Sequence, residues 1–279
     1  MPETDDTWCR ANRANWDERV AVHLAAPVYD LTGLRAGEAR LNAIEEAELG
    51  PVAGRRVLHL QCHFGRDSLI LAQRGAVVTG LDFSAPAIAR ARDLAAELGL
   101  ADRARFVESD LHAAREAVPE PAAFDLVYVT WGAINWLPDI RLWAEIVAWF
   151  LKPGGALYLV EDHPAALVLD DQGPRHDAMP GWYVPYFQRE PVIEDDPRDY
   201  ADPSARLANA RTYIWPHPLG AIVTALLDAG LTLRLLHEHD AVPWPMFELL
   251  TRGDDGLWRW PDRPWLPLSF SLRAERLDG

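Results

Sequence analysis

Short apolar runs alternate with helical stretches in the middle of the chain. The apolar runs lie at residues 56–61, 77–82, 104–108, 124–130 and 156–161. Between some of these runs, apolar side chains recur at helical spacing, at residues 67–73, 85–98 and 139–151. Strands that are apolar along their length and alternate with helices are typical of a parallel sheet covered on both faces. Residues 51–162 are therefore predicted to form an α/β core.

The first fifty residues have a different texture and favour helices. A first helix is predicted from side chains spaced for one face, namely Trp8, Trp16, Val20 and Leu24. A second helix is predicted at residues 37–49. We interpret residues 1–50 as an N-terminal helical cap and residues 51–279 as the main domain.

Residues 163–218 interrupt the regular pattern. Prolines, aromatic residues and acidic pairs are frequent in this segment, and no period is visible. A long irregular stretch inside a compact domain usually serves a function, so we predict that this insertion is a substrate lid. Regular elements return afterwards, with a helix predicted at residues 219–229 and strands at 232–237 and 268–274.

Composition and charge narrow the class of protein. The chain has 279 residues and a net charge of −15, and we find no basic stripe, so we expect no nucleic-acid partner. No run of about 18 apolar residues is present, so we expect no membrane span. The two cysteines do not resemble a disulfide framework, and the first residues do not resemble a signal peptide. We therefore expect a soluble cytoplasmic protein, and a homodimer is left open.

A tight turn at residues 61–65 follows the first predicted strand and precedes a helix. Such a turn aims backbone N–H groups and a helix N-terminus at a ligand. The second strand ends in Asp82, where a carboxylate can accept hydrogen bonds from both ribose hydroxyls of an adenosine ligand. Asp110 follows the third strand, where a polar side chain can meet the adenine amino group. The neighbouring Phe83 and Leu111 can sandwich the adenine ring.

The order of these features resembles that of the class I methyltransferase domain, the Rossmann-like family that uses S-adenosylmethionine. Residues 151–155 read L-K-P-G-G, which matches the L-x-P-G-G turn that usually precedes the fifth strand in this family. Residues 59–65 are similar to the H-L-Q-C-H-F-G turn of a bacterial methyltransferase subgroup. The resemblance covers residues 51–162. It implies a seven-stranded, mostly parallel sheet with one antiparallel strand, helices on both faces, S-adenosylmethionine as cofactor and a small-molecule acceptor.

The turn at residues 59–65 departs from the family pattern D-x-G-x-G-x-G. His59, Gln61 and His63 replace the acid and the first two glycines, and Gly65 is retained. We therefore expect the side chains at 61 and 63 to point away from the cofactor or to line its site. A metal site is not expected, because His59, Cys62 and His63 are too tightly spaced and lack an evident fourth ligand. The resemblance implies cofactor contacts at Tyr29, Gln61, Gly65, Asp82, Phe83, Ser109, Asp110, Leu111, Thr130 and Trp131.

Candidate catalytic and substrate-binding residues follow the later strands. His217 lies between two prolines, and the ordinary pKa of a histidine suits proton transfer near neutral pH. Glu161 and His163 end the fifth strand, where they can orient a nucleophile or take its proton. Methyl transfer itself is an in-line displacement that needs approach geometry and the exclusion of water. Aromatic side chains predicted to contact an apolar or aromatic acceptor are Trp136, Tyr186 and Trp215.

Three alternatives stay open. A nicotinamide-dependent oxidoreductase also uses a Rossmann turn and an acid after the second strand, but the L-K-P-G-G turn and the lack of G-x-G-x-x-G argue against it. A relative that binds the cofactor without transferring a methyl group is the second alternative. The third is methylation at carbon, in which Tyr213 and Trp215 stabilise a cationic intermediate and Glu161 takes the proton.

Overall fold

The computed structural model describes residues 6–171 and 179–277. Two compact units make up the chain, and each is built from segments that are distant in sequence. The first unit comprises Met1–Arg40, Val52–Glu120 and Val192–Ile214. The second unit comprises Leu41–Pro51, Pro121–Pro191 and Trp215–Gly279.

In the described part of the chain, most helices lie before Leu151, and one more follows the insertion. The α-helices are α1 (Thr7–Ala25), α2 (Leu31–Ala36), α3 (Ala43–Glu48), α4 (Arg66–Gln73), α5 (Ala85–Glu97), α6 (Ala114–Ala117), α7 (Ile140–Phe150) and α8 (Leu219–Asp228). Short 3₁₀ helices lie at Pro27–Tyr29, Leu111–Ala113 and Ile134–Trp136. Among the described residues, no helix is both long and apolar enough to pass through a lipid bilayer.

A seven-stranded sheet is the main layer of the fold. The strands of the chain are β1 (Arg56–Leu60), β2 (Val77–Asp82), β3 (Ala104–Glu108), β4 (Phe124–Thr130), β5 (Leu151–Asp162), β6 (Leu169–Asp170), β7 (Gly181–Trp182), β8 (Val192–Asp195), β9 (Arg211–Ile214), β10 (Leu231–His239), β11 (Ala241–Val242), β12 (Thr251–Arg252), β13 (Trp258–Arg259) and β14 (Ser269–Arg276). The order in the large sheet is β10-β14-β5-β4-β1-β2-β3. β14 is antiparallel to both of its neighbours, while β1–β2–β3 and β4–β5 pair in parallel.

The predicted α/β core is confirmed almost residue for residue. β2, β3 and β4 have the predicted bounds, and α5 begins after Ser84, whose side chain caps it by accepting the Ala87 N–H. The fifth strand begins earlier than predicted, at Leu151, because Phe124 pairs with Leu151 while Leu126 pairs with Ala156. The L-K-P-G-G turn is therefore a bulge inside β5 that its glycines accommodate, with Gly154 at φ +74°.

The N-terminal prediction is wrong in one helix and in the buried face of another. Of the predicted helix at residues 37–49 only α3 forms, because Gly37 at φ +71° ends the preceding helix α2 and Asn42 caps the start of α3. On α1 only Val20 of the predicted apolar face is buried, and the other buried residues are Asn12, Asn15 and His23. The physical reason is that α1 packs on β9, whose backbone needs hydrogen-bond partners. The Asn12 side chain supplies both an acceptor and a donor, since it accepts the Tyr213 N–H and donates to the Tyr213 carbonyl, each at 2.8 Å.

The insertion at residues 163–218 holds more regular structure than its sequence suggests. β8 pairs with β9 in the first unit, and β6 pairs with β7 in the second. The second unit also contains a small sheet, β11-β13-β12, which was not predicted because strands of two residues show no period. This small sheet adjoins a satellite core around Ala166, Phe247 and Trp260. Part of the predicted lid, residues 172–178, lies outside the described residues.

Candidate functional site

The turn after β1 keeps a glycine-like backbone without most of the glycines. Gln61 has φ +56°, His63 has φ +51° and Gly65 has φ +75°. Left-handed backbone is costly for residues with a side chain and tends to occur at functional sites. Thus the three positions where the family pattern has glycine all retain the left-handed conformation. His59 is turned elsewhere, with its Nδ1 2.8 Å from the Ser68 hydroxyl, and burial lowers its pKa to about 4.

Gly65 is required by packing as well as by its backbone angle. A Cβ added at this position would lie 2.5 Å from Cε1 of Phe106 and 3.1 Å from Cβ of Ala91. Its N–H donates to the Cys62 carbonyl at 2.9 Å, and α4 begins immediately afterwards. The retained glycine therefore lets the turn lie directly against β3.

We expect Gly65→Ala to lower the free energy of unfolding by about 3 kcal/mol, from left-handed strain and overpacking together. Gly99→Ala is the matched control, because Gly99 has φ +67° but nothing lies within 4 Å of the added Cβ. That control should cost only about 1 kcal/mol. Urea denaturation of both variants measures the difference. Equal losses would show that contact with Phe106 does not matter.

Asp82 lies at the carboxyl end of β2, beside the turn. Its Oδ2 accepts the His63 N–H at 2.8 Å and its Oδ1 accepts the Ser84 N–H at 2.9 Å. Burial raises the pKa of Asp82 to about 6, although these two N–H donors lower it. Asp17 on α1 also raises this pKa, and its own carboxylate accepts the Ser84 hydroxyl at 2.6 Å. The buried carboxylate is therefore held in place by backbone donors, and each oxygen has a further lone pair.

The segment after β3 places its polar residues next to α1. Ser109 donates its N–H to the Asp82 carbonyl at 2.9 Å, which joins the ends of the two strands. Asp110 accepts hydrogen bonds from the Cys9 thiol at 3.0 Å and from the His112 N–H at 2.8 Å. Burial raises the pKa of Asp110, but hydrogen bonds from His112 and Cys9 lower it to about 2. Leu111 is buried, and the Arg13 guanidinium lies 5.7 Å from the ring centre of Phe83.

The His63 imidazole belongs to a hydrogen-bond network that was not predicted from the sequence. Its Nε2 lies 2.8 Å from Nδ1 of His23, whose Nε2 lies 3.0 Å from Oδ2 of Asp199. Tyr29 joins the same group, with its hydroxyl 3.0 Å from Nδ1 of His23. One sequence feature could have indicated this network. It is the helical spacing of four polar residues on α1, namely Asn12, Asn15, Arg19 and His23. No local pattern indicated Asp199.

Glu161 in the second unit holds the segment after β4. Its carboxylate accepts N–H groups from Gly132 at 2.5 Å, Ala133 at 2.6 Å and Ile134 at 2.9 Å. Burial raises the pKa of Glu161, while these backbone donors lower it. Successive N–H groups aimed at one carboxylate form a nest that fixes the backbone of the segment. The side chain predicted as catalytic is thus fully engaged with backbone.

The other predicted residues after β4 are held by neighbours of the second unit. Thr130 is buried, and Trp131, with φ +48°, donates its indole N–H to Glu45 at 3.0 Å. The Trp131 ring also meets the edge of Trp244 at 5.3 Å between centroids. The Trp131 indole therefore has structural partners on both α3 and the segment around Trp244.

The residues predicted to surround the acceptor are anchored to backbone. Nε2 of His217 lies 2.8 Å from the Leu137 carbonyl, and burial lowers the pKa of His217. Trp215 donates its backbone N–H to the Asn135 carbonyl at 2.7 Å, which is adjacent to Trp136. The Tyr186 hydroxyl accepts the Leu219 N–H at 3.1 Å. These contacts gather residues 134–137 and 215–217 in one place.

His163 accepts one backbone hydrogen bond and lies beside a carboxylate. Its Nδ1 accepts the Ala165 N–H at 3.0 Å, so the ring proton is on Nε2, which faces Glu238 at 2.9 Å. Burial lowers the pKa of His163, and Glu238 raises it. The ring therefore has no nitrogen left to accept a proton from a ligand while these contacts last.

Within each unit the predicted residues cluster at strand ends. In the first unit they follow the carboxyl ends of three adjacent parallel strands, where open α/β sheets bind ligands, and comprise Gln61, Gly65, Asp82, Phe83, Ser109, Asp110 and Leu111. Tyr29 joins them through Arg66, whose Nε donates to the Tyr29 carbonyl at 2.6 Å. In the second unit they lie after β4 and β5 and before α8, and comprise Thr130, Trp131, Trp136, Glu161, His163, Trp215 and His217.

The α/β core is similar to domains of known methyltransferases. Residues 57–155 match the family described as "Methyltransferase domain". The chain is 35% identical over 107 residues to a ubiquinone biosynthesis O-methyltransferase of Azoarcus sp., covering 38% of this chain and 44% of that protein. It is also 35% identical over 140 residues to a demethylmenaquinone methyltransferase of Thermus thermophilus, covering 49% of this chain and 56% of that one. The chain thus spans about half the length of the curated relatives it matches.

A solved structure shows the same fold. It is a candidate S-adenosylmethionine-dependent methyltransferase from Listeria monocytogenes, with a TM-score of 0.63 and 18% sequence identity, over 88% of this chain and 98% of that one. The matched domain covers the turn after β1, Asp82 and the L-K-P-G-G bulge. Residues 57–155 thus match a methyltransferase domain, and the chain shares the Rossmann-like fold of a solved S-adenosylmethionine-dependent methyltransferase.

Proposed function

We propose that this protein transfers a methyl group from S-adenosylmethionine to a small aromatic molecule. The observation that carries the proposal is the buried Asp82 carboxylate at the end of β2, beside a turn with three left-handed residues. A carboxylate in this place can accept both ribose hydroxyls of an adenosine ligand. The helix N-terminus and the N–H groups of the turn can meet the carboxylate of the methionine part.

The residues present fit such a cofactor. Each oxygen of Asp82 accepts one backbone N–H, so a carboxylate with about four lone-pair sites has room for two more donors. Phe83 and Leu111 are proposed to supply apolar surface for the adenine ring, and Ser109 and Asp110 are proposed to supply polar groups. Thr130 and Trp131 are proposed as further contacts on the segment after β4. When bound, the cofactor supplies an activated methyl group on a sulfonium sulfur.

The proposed acceptor is a small ring compound with an ionisable group. Aromatic side chains are frequent in the insertion, where Trp182 is 78% exposed and Phe187 is 77% exposed and can meet such a ring. Trp136, Tyr186 and Trp215 are proposed as acceptor contacts. The names of the two curated relatives, from ubiquinone biosynthesis and demethylmenaquinone methylation, agree with a quinone-like or phenolic ring.

The chain's own residues would position the acceptor, exclude water and take one proton. Glu161 and His163 are proposed as positioning residues, because their acceptor atoms are engaged by neighbours. His217 is retained as a proposed contact on the acceptor side, with its Nε2 held by the Leu137 carbonyl.

Two measurements test the proposed function. Calorimetric titration with S-adenosylhomocysteine should show one site in the wild type, and NADH should show none. Incubation with methyl-labelled S-adenosylmethionine and a panel of catechols, dihydroxybenzoates and short-chain quinols should then yield labelled product. No S-adenosylhomocysteine binding would overturn the assignment. Binding without transfer to any ring compound would point to a different acceptor class or to a relative that only binds the cofactor.

A further inference from the structure

An aspartate and two histidines from three distant segments form a line of hydrogen bonds in the first unit. Nε2 of His23 lies 3.0 Å from Oδ2 of Asp199, and Nδ1 of His23 lies 2.8 Å from Nε2 of His63. His23 is on α1, His63 is in the turn after β1, and Asp199 follows β8. The three side chains are joined end to end, and the line ends in the turn beside Asp82.

The carboxylate at one end determines where the protons lie. A carboxylate only accepts hydrogen bonds, so Nε2 of His23 carries the proton that it shares with Asp199. Nδ1 of the neutral His23 ring then holds a lone pair, to which Nε2 of His63 donates. Nδ1 of His63 therefore keeps its own lone pair. Within residues 6–171 and 179–277, no donor forms a hydrogen bond with that nitrogen.

The surroundings keep both rings neutral and the carboxylate charged. Burial lowers the pKa of His63 well below its ordinary value; the Arg19 charge, and His23 whenever it is protonated, lower this pKa further, while Asp199 raises it. Burial also lowers the pKa of His23, although Asp199 raises it. Burial raises the pKa of Asp199, but its hydrogen bond and charge interaction with His23 lower it to about 2. Neutral imidazoles backed by a carboxylate are in the state that a general base requires.

Other side chains hold the two rings in place. The Trp16 ring meets the His63 ring edge to face at 5.3 Å between centroids. The Tyr29 ring stacks on His23 at 5.0 Å, and its hydroxyl lies 2.5 Å from the hydroxyl of Tyr200. Tyr29 can therefore donate to Tyr200 and leave Nδ1 of His23 to His63. Arg19 binds Asp199 at 2.7 Å and fixes the far end of the line.

The backbone of His63 argues that the imidazole itself is needed there. At φ +51° a histidine is strained where glycine is not. The strained residue, His63, is also the end of the hydrogen-bonded line, and it lies at the carboxyl edge of the sheet, where ligands bind. A purely structural turn would be better served by glycine.

We propose that Asp199, His23 and His63 form a proton relay in which Nδ1 of His63 takes the proton released by the methyl acceptor. This rests on the proposed methyl transfer. As the acceptor atom forms its bond to the methyl carbon, the carbon–sulfur bond breaks and its electron pair stays on sulfur, which becomes a neutral thioether. The acceptor's proton moves to Nδ1 of His63. The resulting imidazolium is stabilised through His23 by the Asp199 carboxylate, and the proton later leaves to water.

His63→Gly tests the relay most directly, because it removes the imidazole while glycine suits the left-handed backbone and is the residue of the family pattern. We expect it to fold and to bind S-adenosylhomocysteine as the wild type does. Methyl transfer to catechol, or to another ring compound that the wild type methylates, should fall by at least about 100-fold. Added imidazole should restore part of the rate, which a structural role of His63 would not allow. An unchanged transfer rate, or a loss of S-adenosylhomocysteine binding with no rescue, would overturn the relay.

Asp199→Asn tests the far end of the line, with Asp196→Asn as the matched control, because Asp196 is an exposed partner of Arg198 on the same segment. The titratable groups that face His63 are His23, Arg19, Tyr29, Asp199 and Asp82. Because Asp199 raises the pKa of His63, its loss should move the acid limb of the rate profile to lower pH and reduce the plateau. Asp196→Asn should change neither. A profile that does not move in Asp199→Asn would contradict the relay.

¹⁵N-histidine NMR of the S-adenosylhomocysteine complex gives a readout that needs no acceptor. At pH 7 we expect a neutral His63 with its proton on Nε2 and a neutral His23 with its proton on Nε2. A His63 that is charged, or protonated on Nδ1, would overturn the relay even if methyl transfer is confirmed. A failure of the proposed function itself would be seen differently, because the wild type would then not bind S-adenosylhomocysteine.

Discussion

Glu161→Ala is expected to lower the free energy of unfolding by about 4 kcal/mol, because it leaves several buried N–H groups without an acceptor. Gly132, Ala133 and Ile134 all donate to this carboxylate at 2.9 Å or less, and Glu161 is 1% exposed. Urea denaturation measures the change, which should appear as a lower midpoint at an unchanged slope.

Glu161→Gln is the matched variant for this prediction. It keeps the size of the side chain and one carbonyl acceptor, so we expect roughly half of the loss in stability. The comparison separates two roles of Glu161. Wild-type stability in Glu161→Ala, combined with lost methyl transfer, would contradict the positioning role and support the catalytic one predicted from the sequence.

Asp82→Ala is expected to weaken S-adenosylhomocysteine binding about 100-fold, since two hydrogen bonds to a charged group are lost at about 1.4 kcal/mol each. Calorimetric titration measures the affinity. Asp102→Ala serves as the control, because Asp102 is an exposed carboxylate that precedes the first residue of β3 and so lies at the strand end opposite to the site. Urea denaturation of Asp82→Ala checks that the turn survives the loss of the acceptor for the His63 and Ser84 N–H groups. An affinity equal to that of the control would mean that the ribose is bound elsewhere.

The same carboxylate predicts a pH dependence of cofactor binding. Burial raises the pKa of Asp82 to about 6, and only the ionised form accepts both ribose hydroxyls. The affinity for S-adenosylhomocysteine should therefore reach its maximum well above pH 6. It should fall as the pH is lowered through 6, by up to about tenfold per pH unit. Asp82→Asn cannot ionise, so its weaker binding should not vary across this range. A wild-type affinity that is constant from pH 8 to about 5 would contradict a free carboxylate at the site.

The strands of the α/β core could be predicted because each is an apolar run that must be buried. β2, β3 and β4 agree with their predicted bounds, and Asp82 is placed by being the last residue of β2. The carboxyl ends of adjacent parallel strands share one edge, so the grouping of Gly65, Asp82 and Asp110 follows from strand order. The left-handed backbone at Gln61 and His63 could be suspected only from the family pattern.

The polar network of the first unit could not be predicted in the same way. Asn12, Asn15 and His23 are buried on α1, and each forms a hydrogen bond with a residue 176 to 201 positions away, on or near β8 and β9. A buried polar side chain is stable only when its hydrogen-bond partner is present, and a single sequence does not state which distant residue provides it. For that reason the apolar spacing on α1 predicts a packed face with Trp16 and Leu24, whereas Asn12 and His23 are buried there.

The sequence by itself determined the α/β class, the strand that carries Asp82, the turn that ends in Gly65 and the glycine-containing turn before the body of β5, because these depend on local apolar pattern and backbone conformation. Tertiary structure alone decided that Glu161 is enclosed by backbone N–H groups, that the insertion is shared between two units and that Asp199, His23 and His63 lie in one line. These features depend on hydrogen bonds between segments far apart in the chain. Such partners are chosen by packing, which no local pattern encodes.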